Sequence, residues 1–129
     1  MKQKRGKKMS VLVLVAISIV LGVVGQLALK KGMNQIGQIS IRDLFTNKII
    51  SIFVNPFVDI GIFLYGVAWF LWIVILSRAE LSFAYPLLAT GYVLIAILSW
   101  VFFKEQLTVM KMSGIALITI GVFMLLSKL

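Results

Sequence analysis

The chain has 129 residues, of which 61% are hydrophobic and 13% are charged, and it contains neither histidine nor cysteine. A soluble domain of this length cannot hide so much apolar surface, because small domains leave a large part of their surface in water. The lack of histidine and cysteine excludes thiol chemistry, the usual zinc sites and the commonest general base. We therefore expect no metal, no cofactor and no enzymatic activity.

Four apolar segments, each about as long as a bilayer is thick, take up most of the sequence. They cover about residues 10–29, 57–76, 83–103 and 109–126. About 20 apolar residues in a helix cross the ~30 Å hydrocarbon core of a membrane. The sequence therefore predicts an all-α membrane protein with four transmembrane helices, which form a single transmembrane domain over residues 1–129.

The connection between the first two spans is the longest. We expect the first helix to end at Gly32, after two lysines that favour a helix C-terminus. The segment of about residues 40–53 then begins with a capping-box pattern at Ser40 and Asp43 and repeats apolar side chains at helical spacing. This segment is expected either to form an interfacial helix in the headgroup plane or to extend the second span at its N-terminus.

The other helix boundaries follow from local signals. Asn55 and Pro56 are the residue types that cap a helix and occupy its first position. The turns at 77–82 and 104–108 are short, so the helices that flank each turn are expected to be antiparallel neighbours. Pro86 lies inside the third span and is expected to bend it, because proline has no amide hydrogen to give to the helix.

The distribution of the cations favours a membrane surface over nucleic acid. The net charge is +9, but the cations flank the spans, where lysine and arginine contact anionic lipid headgroups. Both termini are expected on the same side, with seven Lys and Arg there against six on the other side. The dense cluster in residues 2–8 favours cytoplasmic termini, whereas the near balance leaves a dual orientation open.

A stripe of small residues follows one face of the first span and lies next to an amide. Its members are Ser18, Gly22 and Gly25, with Gln26 beside them. Small residues allow helices to pack closely in a membrane, while an amide in hydrocarbon needs a hydrogen-bond partner. The stripe is therefore either a packing face or the wall of a polar cavity.

The fourth span carries two glycines on one face. Gly114 and Gly121 are seven residues apart, which is close to two helical turns. They predict a packing seam, either within the chain or between two subunits of a dimer.

Aromatic residues cluster in the two middle spans. Tyr65, Trp69 and Trp72 share one helix face, and Tyr85 and Tyr92 share another. Interfacial belts explain Trp and Tyr near the ends of a span, but Trp69 and Tyr92 lie toward the middle. Because buried hydroxyl and indole groups need hydrogen-bond partners, these side chains favour a partly hydrated pocket.

Few charged residues lie near the predicted spans. Lys30, just beyond the stripe of the first span, is expected either to reach lipid headgroups or to hold a substrate phosphate. Arg78 is either a solvated turn residue or a second ligand for that phosphate. Asp59 lies in the first turn of the second span, where the helix dipole stabilises a carboxylate, so a structural role is favoured.

Several segments together resemble a known group of membrane proteins. The segments are 84–88, 98–100, 103–108 and 114–122. They resemble the drug/metabolite transporter superfamily, both its small multidrug resistance branch and its EamA-type repeats. Segments 25–31, 81–85 and 91–94 are similar to the small flippase subunits that move aminoarabinose-phosphoundecaprenol.

The sequence departs from the multidrug exporters at two positions. Aligned on Gly25 and Lys30, Gly22 stands where those exporters have a membrane-embedded glutamate that binds protons and cationic drugs in turn. Aligned from Tyr85, Leu88 stands where they have a tryptophan. The resemblance to the exporters therefore implies their fold rather than their proton-coupled exchange.

The resemblance implies a dimeric transporter, paired with itself or with a paralogous subunit, in the inner or plasma membrane of a bacterium or archaeon. Its expected partners are membrane lipids and a polyprenyl-phosphate-linked sugar. The residues expected to bind the substrate are Ser18, Gly22, Gly25, Gln26, Lys30, Tyr65, Trp69, Arg78, Tyr85 and Tyr92. Two alternatives stay open. One is an exporter of small metabolites or cationic drugs in which Glu80 or Asp59 replaces the missing carboxylate, and the other is an accessory subunit without transport activity.

Overall fold

Helices make up all of the regular secondary structure in residues 2–127, the part that this computed structural model describes, with side chains described for residues 9–127. They are α1 (Lys2–Ile36), a 3-10 helix (Ile41–Phe45), α2 (Lys48–Val54), α3 (Pro56–Leu76), α4 (Leu81–Leu87), α5 (Ala89–Phe103) and α6 (Val109–Leu126). Four stretches are long and apolar enough to cross a membrane: α1 from Met9, α3, α4 together with α5, and α6. The all-α fold with four candidate transmembrane helices is confirmed.

α1 ends later than the sequence predicts. It runs to Ile36 and stops at Gly37, which has a left-handed φ of 91° and whose amide donates to the Met33 carbonyl (2.8 Å). The prediction that the helix ends at Gly32 is therefore wrong. Gly32 is buried against α3, where a Cβ would lie 2.6 Å from Val58 Cγ2, so packing rather than helix termination requires glycine there.

α1 and α3 pack against each other as antiparallel helices with very little space between them. A Cβ on Gly61 would lie 2.8 Å from the Gly25 carbonyl oxygen, and one on Gly25 would lie 3.1 Å from the Gly61 carbonyl oxygen. Two turns away, Ser18 Oγ donates a hydrogen bond to the Ala68 carbonyl (3.3 Å). Small residues on both helices let the backbones approach, as they do in membrane interiors.

An apolar core closes the end of the bundle at which α1 begins. Its buried members are Val11, Val15, Ile75, Ala84 and Leu87. Val122 and Leu125, near the end of α6, pack against this core. The start of α1 and the end of α6 therefore lie at the same end of the molecule, as predicted. The side chains of the basic residues in 2–5, 7 and 8, and residue 128, lie outside the described residues.

The third predicted span is interrupted near its proline. α4 ends at Leu87 and α5 begins at Ala89, so the break falls two residues beyond Pro86. At the break, the Leu88 amide donates to the Tyr85 carbonyl (3.0 Å), a spacing of three residues in place of the four of a regular helix. The local distortion predicted from the proline is confirmed.

The connection between α1 and α3 forms two short helices rather than one helix over 40–53. The Ser40 amide donates to Asp43 Oδ2 (2.8 Å), which agrees with the capping-box pattern. This hydrogen bond holds the pKa of the Asp43 carboxyl below its usual value, and the positive charge of Lys48, whose Nζ lies 3.4 Å from Asp43 Oδ2, lowers the pKa further. Phe45 is 88% exposed, and the location of the segment in the headgroup plane stays a prediction.

Asn55→Ala is expected to destabilise the fold by about 1–2 kcal/mol. The Asn55 side chain accepts hydrogen bonds from the amides of Phe57 (3.0 Å) and Val58 (3.4 Å) and donates to Gln35 Oε1 (3.1 Å), so it caps α3 and ties it to the end of α1. Asn47→Ala is the matched control, because Asn47 precedes α2 without a side-chain cap. Thermal unfolding in detergent measures both, and equal midpoints for the two variants would contradict the assignment.

Candidate functional site: a groove between four helices

The space between α1, α3, α4 and α5 contains a small cavity with mixed walls, the central cavity, of about 190 Å³. It is lined by Ile19, Gly22, Val23, Gln26, Tyr65, Tyr85, Leu88, Gly91, Tyr92 and Ile95. Its walls come from all four helices, so the cavity exists only when the whole bundle is assembled. Among these side chains the polar groups are the Gln26 amide and three tyrosine hydroxyls.

Two further cavities share Tyr65 with the central cavity. The aromatic cavity, of about 320 Å³, is lined by Ser18, Gly22, Tyr65, Ala68, Trp69, Trp72, Tyr85 and Leu88. The lateral cavity, of about 500 Å³, is lined by Gln26, Leu29, Gly61, Ile62, Tyr65, Gly66 and Trp69. We call the three together the groove. The four aromatic side chains predicted as site residues are each about half exposed, so the groove opens at the surface of the isolated chain.

Gln26 and Tyr65 form the polar centre of the groove. Gln26 Nε2 donates a hydrogen bond to the Tyr65 hydroxyl (3.0 Å). The close contact of Gly25 with Gly61, one residue before Gln26 and one turn before Tyr65, brings the two backbones near enough for this bond. The Gln26 carbonyl can accept a further hydrogen bond and the Tyr65 hydroxyl can donate one. The pair thus offers both an acceptor and a donor to a sugar hydroxyl.

Aromatic rings form the apolar wall of the groove. Trp72 and Tyr85 meet edge to face, with ring centroids 6.1 Å apart, and this contact joins α3 to α4. Trp69 meets Phe70 in the same geometry at 5.5 Å. Such rings combine a large apolar surface with a polar edge, which suits a ligand that has both hydroxyl groups and a hydrocarbon part.

The small-residue stripe of α1 combines both of the roles that the sequence left open. Gly25 packs on Gly61 and lines none of the three cavities, and its role in substrate binding stays a prediction. Ser18 borders the aromatic cavity but is only 6% exposed, and its hydroxyl already donates a hydrogen bond to the Ala68 carbonyl. Gly22, in contrast, lines two cavities and has open space where a Cβ would be.

The predicted cations lie at opposite ends of the bundle. Lys30, near the end of α1, pairs with Glu105 in the turn after α5 (Nζ to Oε1, 3.7 Å). Arg78 follows α3 at the other end, and the 21 residues of α3 span about 30 Å at 1.5 Å per residue. One phosphate therefore cannot contact Lys30 and Arg78 at the same time, and the role of each residue in phosphate binding stays a prediction.

The described residues that line the groove include no carboxylate. Gly22 and Leu88, which stand at the positions of the exporters' glutamate and tryptophan, both line the central and the aromatic cavities. Asp59, in the first turn of α3, and Glu80, just before α4, line none of the three cavities. The groove therefore has no acid of its own with which to bind a cationic drug.

Among the groove residues that are absent from the prediction, Gly61 and Trp72 have a clear signal in the sequence. Gly61 precedes Tyr65 by one helical turn, and a glycine inside a span indicates a close helix contact. Trp72 shares a face with Tyr65 and Trp69, so the same spacing that selected these two also applies to Trp72. Leu88 stands out in the sequence only by its alignment with the exporters' tryptophan, because an apolar side chain in a span is otherwise ordinary.

The face of α6 that carries the two glycines has no partner in the described chain. Gly114 and Gly121 are exposed, and a Cβ on either would meet no atom within 4 Å. No residue of α6 over Val109–Leu126 is buried. The predicted seam is therefore not a contact within residues 2–127, and only its role between subunits remains as a prediction.

Four apolar helices around an open groove with a polar centre define a small multi-pass membrane protein with a place for an amphipathic ligand. Comparison with known proteins gives its family. The EamA-like transporter family matches residues 1–127, and the chain belongs to this family.

Several curated relatives have names that are more specific than the name of the family. The chain is 32% identical over 132 residues to the probable 4-amino-4-deoxy-L-arabinose-phosphoundecaprenol flippase subunit ArnF of Shewanella sediminis, covering 91% of this chain and 88% of that protein. It is 34% identical over 119 residues to the probable ArnF subunit of Serratia proteamaculans, covering 88% of this chain and 89% of that protein. A probable ArnE subunit of the same flippase, from Pseudomonas savastanoi pv. phaseolicola, is 38% identical over 60 residues, covering 46% and 53%. No solved structure matches the chain.

Proposed function

We propose that this protein is a subunit of a flippase that moves a polyprenyl-phosphate-linked sugar across a membrane. The observation that carries the proposal is the Gln26–Tyr65 hydrogen bond, which lies where the cavities of the groove meet and has a cation, Lys30, about one turn further along α1. A groove with hydrogen-bonding groups, aromatic walls and no acid suits a neutral or anionic ligand with many hydroxyls. Relatives described as flippase subunits for such a lipid support the same substrate class.

The sugar and the polyprenyl chain of the lipid bind in different cavities of this groove. The sugar lies at the central cavity, where the Gln26 carbonyl and the hydroxyls of Tyr65, Tyr85 and Tyr92 bind its hydroxyl groups. The polyprenyl chain extends through the lateral cavity toward the surrounding lipid, past Trp69. This arrangement lets the polar head cross the bilayer while the tail stays in hydrocarbon, which avoids the large cost of moving the head through lipid alone.

The two cations serve the phosphate at different stages. Lys30 binds it at one end of the bundle, and Arg78 receives it at the other end, about 30 Å away along α3. Lysine attracts a phosphate as a compact point charge without a rigid bidentate geometry, so it releases the phosphate readily. The core at the end where α1 begins has to open for the second stage, since Val11, Val15 and Ile75 are packed there.

The groove is completed by a second subunit, which is another copy of this chain or a paralogue. The half-exposed aromatic walls and the open α6 face both leave room for such a partner. The ArnE and ArnF names of the relatives favour a paralogue. We place the assembly in a bacterial inner membrane with both termini in the cytoplasm, where the basic N-terminal segment contacts anionic lipid.

Transport in liposomes tests the proposed function. Purified protein, with and without a paralogous subunit from the same genome, is reconstituted into vesicles that contain a labelled polyprenyl-phosphate sugar. Chemical modification from outside then measures the fraction of lipid in the outer leaflet over time. We expect exchange at least tenfold faster than in protein-free vesicles. Exchange no faster than in empty vesicles, with either composition, refutes the flippase function.

Gly121→Leu is expected to weaken subunit association at least tenfold, which corresponds to about 1.4 kcal/mol, and to reduce transport in parallel. A leucine side chain on the open glycine face blocks close helix contact, while a Cβ at Gly121 would meet no atom within 4 Å in the described chain. Ala116→Leu, an exposed position on another face of α6, is the control. Energy transfer between labelled subunits in detergent measures association, and equal association for both variants would exclude this face from the interface.

A further inference from the structure

The Lys30–Glu105 pair lies beside a fourth cavity that the transport groove does not include. This end cavity, of about 280 Å³, shares Tyr92 and Ile95 with the central cavity and extends to the turn between α5 and α6. Glu105 is the one carboxylate among the described residues that line it. The pair therefore lies at the place where the central cavity continues toward one end of the molecule.

The turn that carries Glu105 has a fixed shape. Lys104 ends α5 in the left-handed conformation (φ 54°), which is unfavourable for a residue other than glycine. The Glu105 amide then donates to the Ser99 carbonyl (3.5 Å), so the chain folds back over the last turn of α5. These constraints hold the Glu105 backbone at the edge of the end cavity, across from α1.

The ion pair itself is weak and easily exchanged. The Lys30 and Glu105 side chains are 50% and 45% exposed, and pairs with this exposure contribute little to stability. Lys111, which lines the end cavity, donates to the Gln106 carbonyl (3.1 Å) instead. Glu105 thus has one direct cationic partner in the described chain, and that partner is also the residue that holds the phosphate in the proposed function.

We propose that the two charges of the substrate replace this ion pair: the phosphate takes Lys30, and a protonated amine on the sugar takes Glu105. The inference rests on the proposed function and deepens it by assigning Glu105 to the sugar amine, a group that the names of the relatives also contain. A lipid with a phosphate but no amine leaves Glu105 without its direct cationic partner and close to the incoming anion, which is unfavourable. A lipid with both groups satisfies both side chains. Glu105 is therefore a specificity-determining residue that favours amino sugars over neutral sugars.

The test compares two lipids that differ only in the amine. Vesicles contain the protein, with its paralogous subunit where transport requires one, and polyprenyl phosphate that carries either 4-amino-4-deoxy-L-arabinose or L-arabinose. For the wild type we expect faster exchange of the amino lipid. Glu105→Gln should slow exchange of the amino lipid about tenfold or more, because it removes a charge-assisted hydrogen bond, and should leave exchange of the neutral lipid equal or faster.

Two controls separate recognition from structure. Glu105→Asp keeps the carboxylate and should retain the preference for the amino lipid. Glu80→Gln removes an acid from the turn at the other end of the bundle and should change neither rate. A thermal midpoint of Glu105→Gln equal to that of the wild type shows that the fold is intact.

The possible results distinguish the inference from the proposed function. If Glu105→Gln slows both lipids equally, or neither, Glu105 does not recognise the amine and the inference is wrong, while the flippase function stands. If the wild type prefers the neutral lipid, the inference is also wrong. If the wild type moves neither lipid, the proposed function itself fails.

Discussion

Gly61→Ala is expected to destabilise the protein by roughly 1–3 kcal/mol, and Gly61→Leu to prevent stable folding. The Cβ that alanine adds would lie 2.8 Å from the Gly25 carbonyl oxygen and 3.0 Å from the Leu29 backbone nitrogen. Both are backbone atoms of α1, so no side-chain rotation relieves the contact. α1 has to move away from α3, and this movement separates Gln26 from Tyr65 and opens the groove.

The control is a glycine on the same helix that has free space around it. A Cβ on Gly66 would meet nothing within 4 Å, and Gly→Ala inside a helix is otherwise favourable by about 0.5–1 kcal/mol. Gly66→Ala should therefore leave the thermal midpoint in detergent unchanged or raise it, while Gly61→Ala lowers it. Equal midpoints would mean that α1 and α3 do not pack through Gly61 as closely as the structure shows.

The sequence predicts the number of membrane helices well, because a membrane span can be recognised from the length and the apolar composition of a segment. Helix ends were harder to predict. The Lys30-Lys31-Gly32 run has the residues of a helix terminus, yet α1 continues to Ile36 because Gly32 is needed for contact with Val58. A glycine has the same appearance in the sequence in both roles, and only the neighbouring helix decides between them. The predictions for the helix cap Asn55 and for Pro86 inside the third span agree with the structure, because the effects of both residues are local.

The groove shows the same limit of sequence-based prediction. Spacing places Ser18, Gly22 and Gly25 on one face of α1, but it does not show that Gly25 packs on α3 while Gly22 lines the central cavity. Likewise, the chemistry of Lys30 and Arg78 suits a phosphate equally well. Their separation by the length of α3 follows only from the topology. Residue type thus predicts the chemistry of the site, whereas the packing of the helices determines which of the candidate residues line the groove.

Lys30→Ala is expected to slow transport of a polyprenyl-phosphate sugar by about 10–100-fold, since hydrogen bonds to charged groups contribute about 1.5–3 kcal/mol and each 1.4 kcal/mol is tenfold. The fold should remain intact, because the ion pair that is lost with Glu105 is half exposed and exposed pairs add little stability. The outer-leaflet assay of lipid exchange measures the rate, and thermal unfolding checks the fold.

Lys31→Ala is the matched control for this prediction. The adjacent ammonium lies over the Phe57 ring, 4.5 Å from its centroid, and so contacts α3 rather than the groove. Its loss should change the exchange rate by less than about twofold, since an exposed cation–π contact contributes only about 0.5–1 kcal/mol, and to stability rather than to phosphate binding. If Lys31→Ala and Lys30→Ala slow exchange equally, general attraction of anionic lipid by the basic end of α1 explains transport, and a specific phosphate site at Lys30 is excluded.

Lys30→Arg keeps the positive charge and changes the geometry with which the side chain binds the phosphate. Because guanidinium binds phosphate in a rigid bidentate manner, this variant should hold the lipid more tightly than the wild type and release it more slowly.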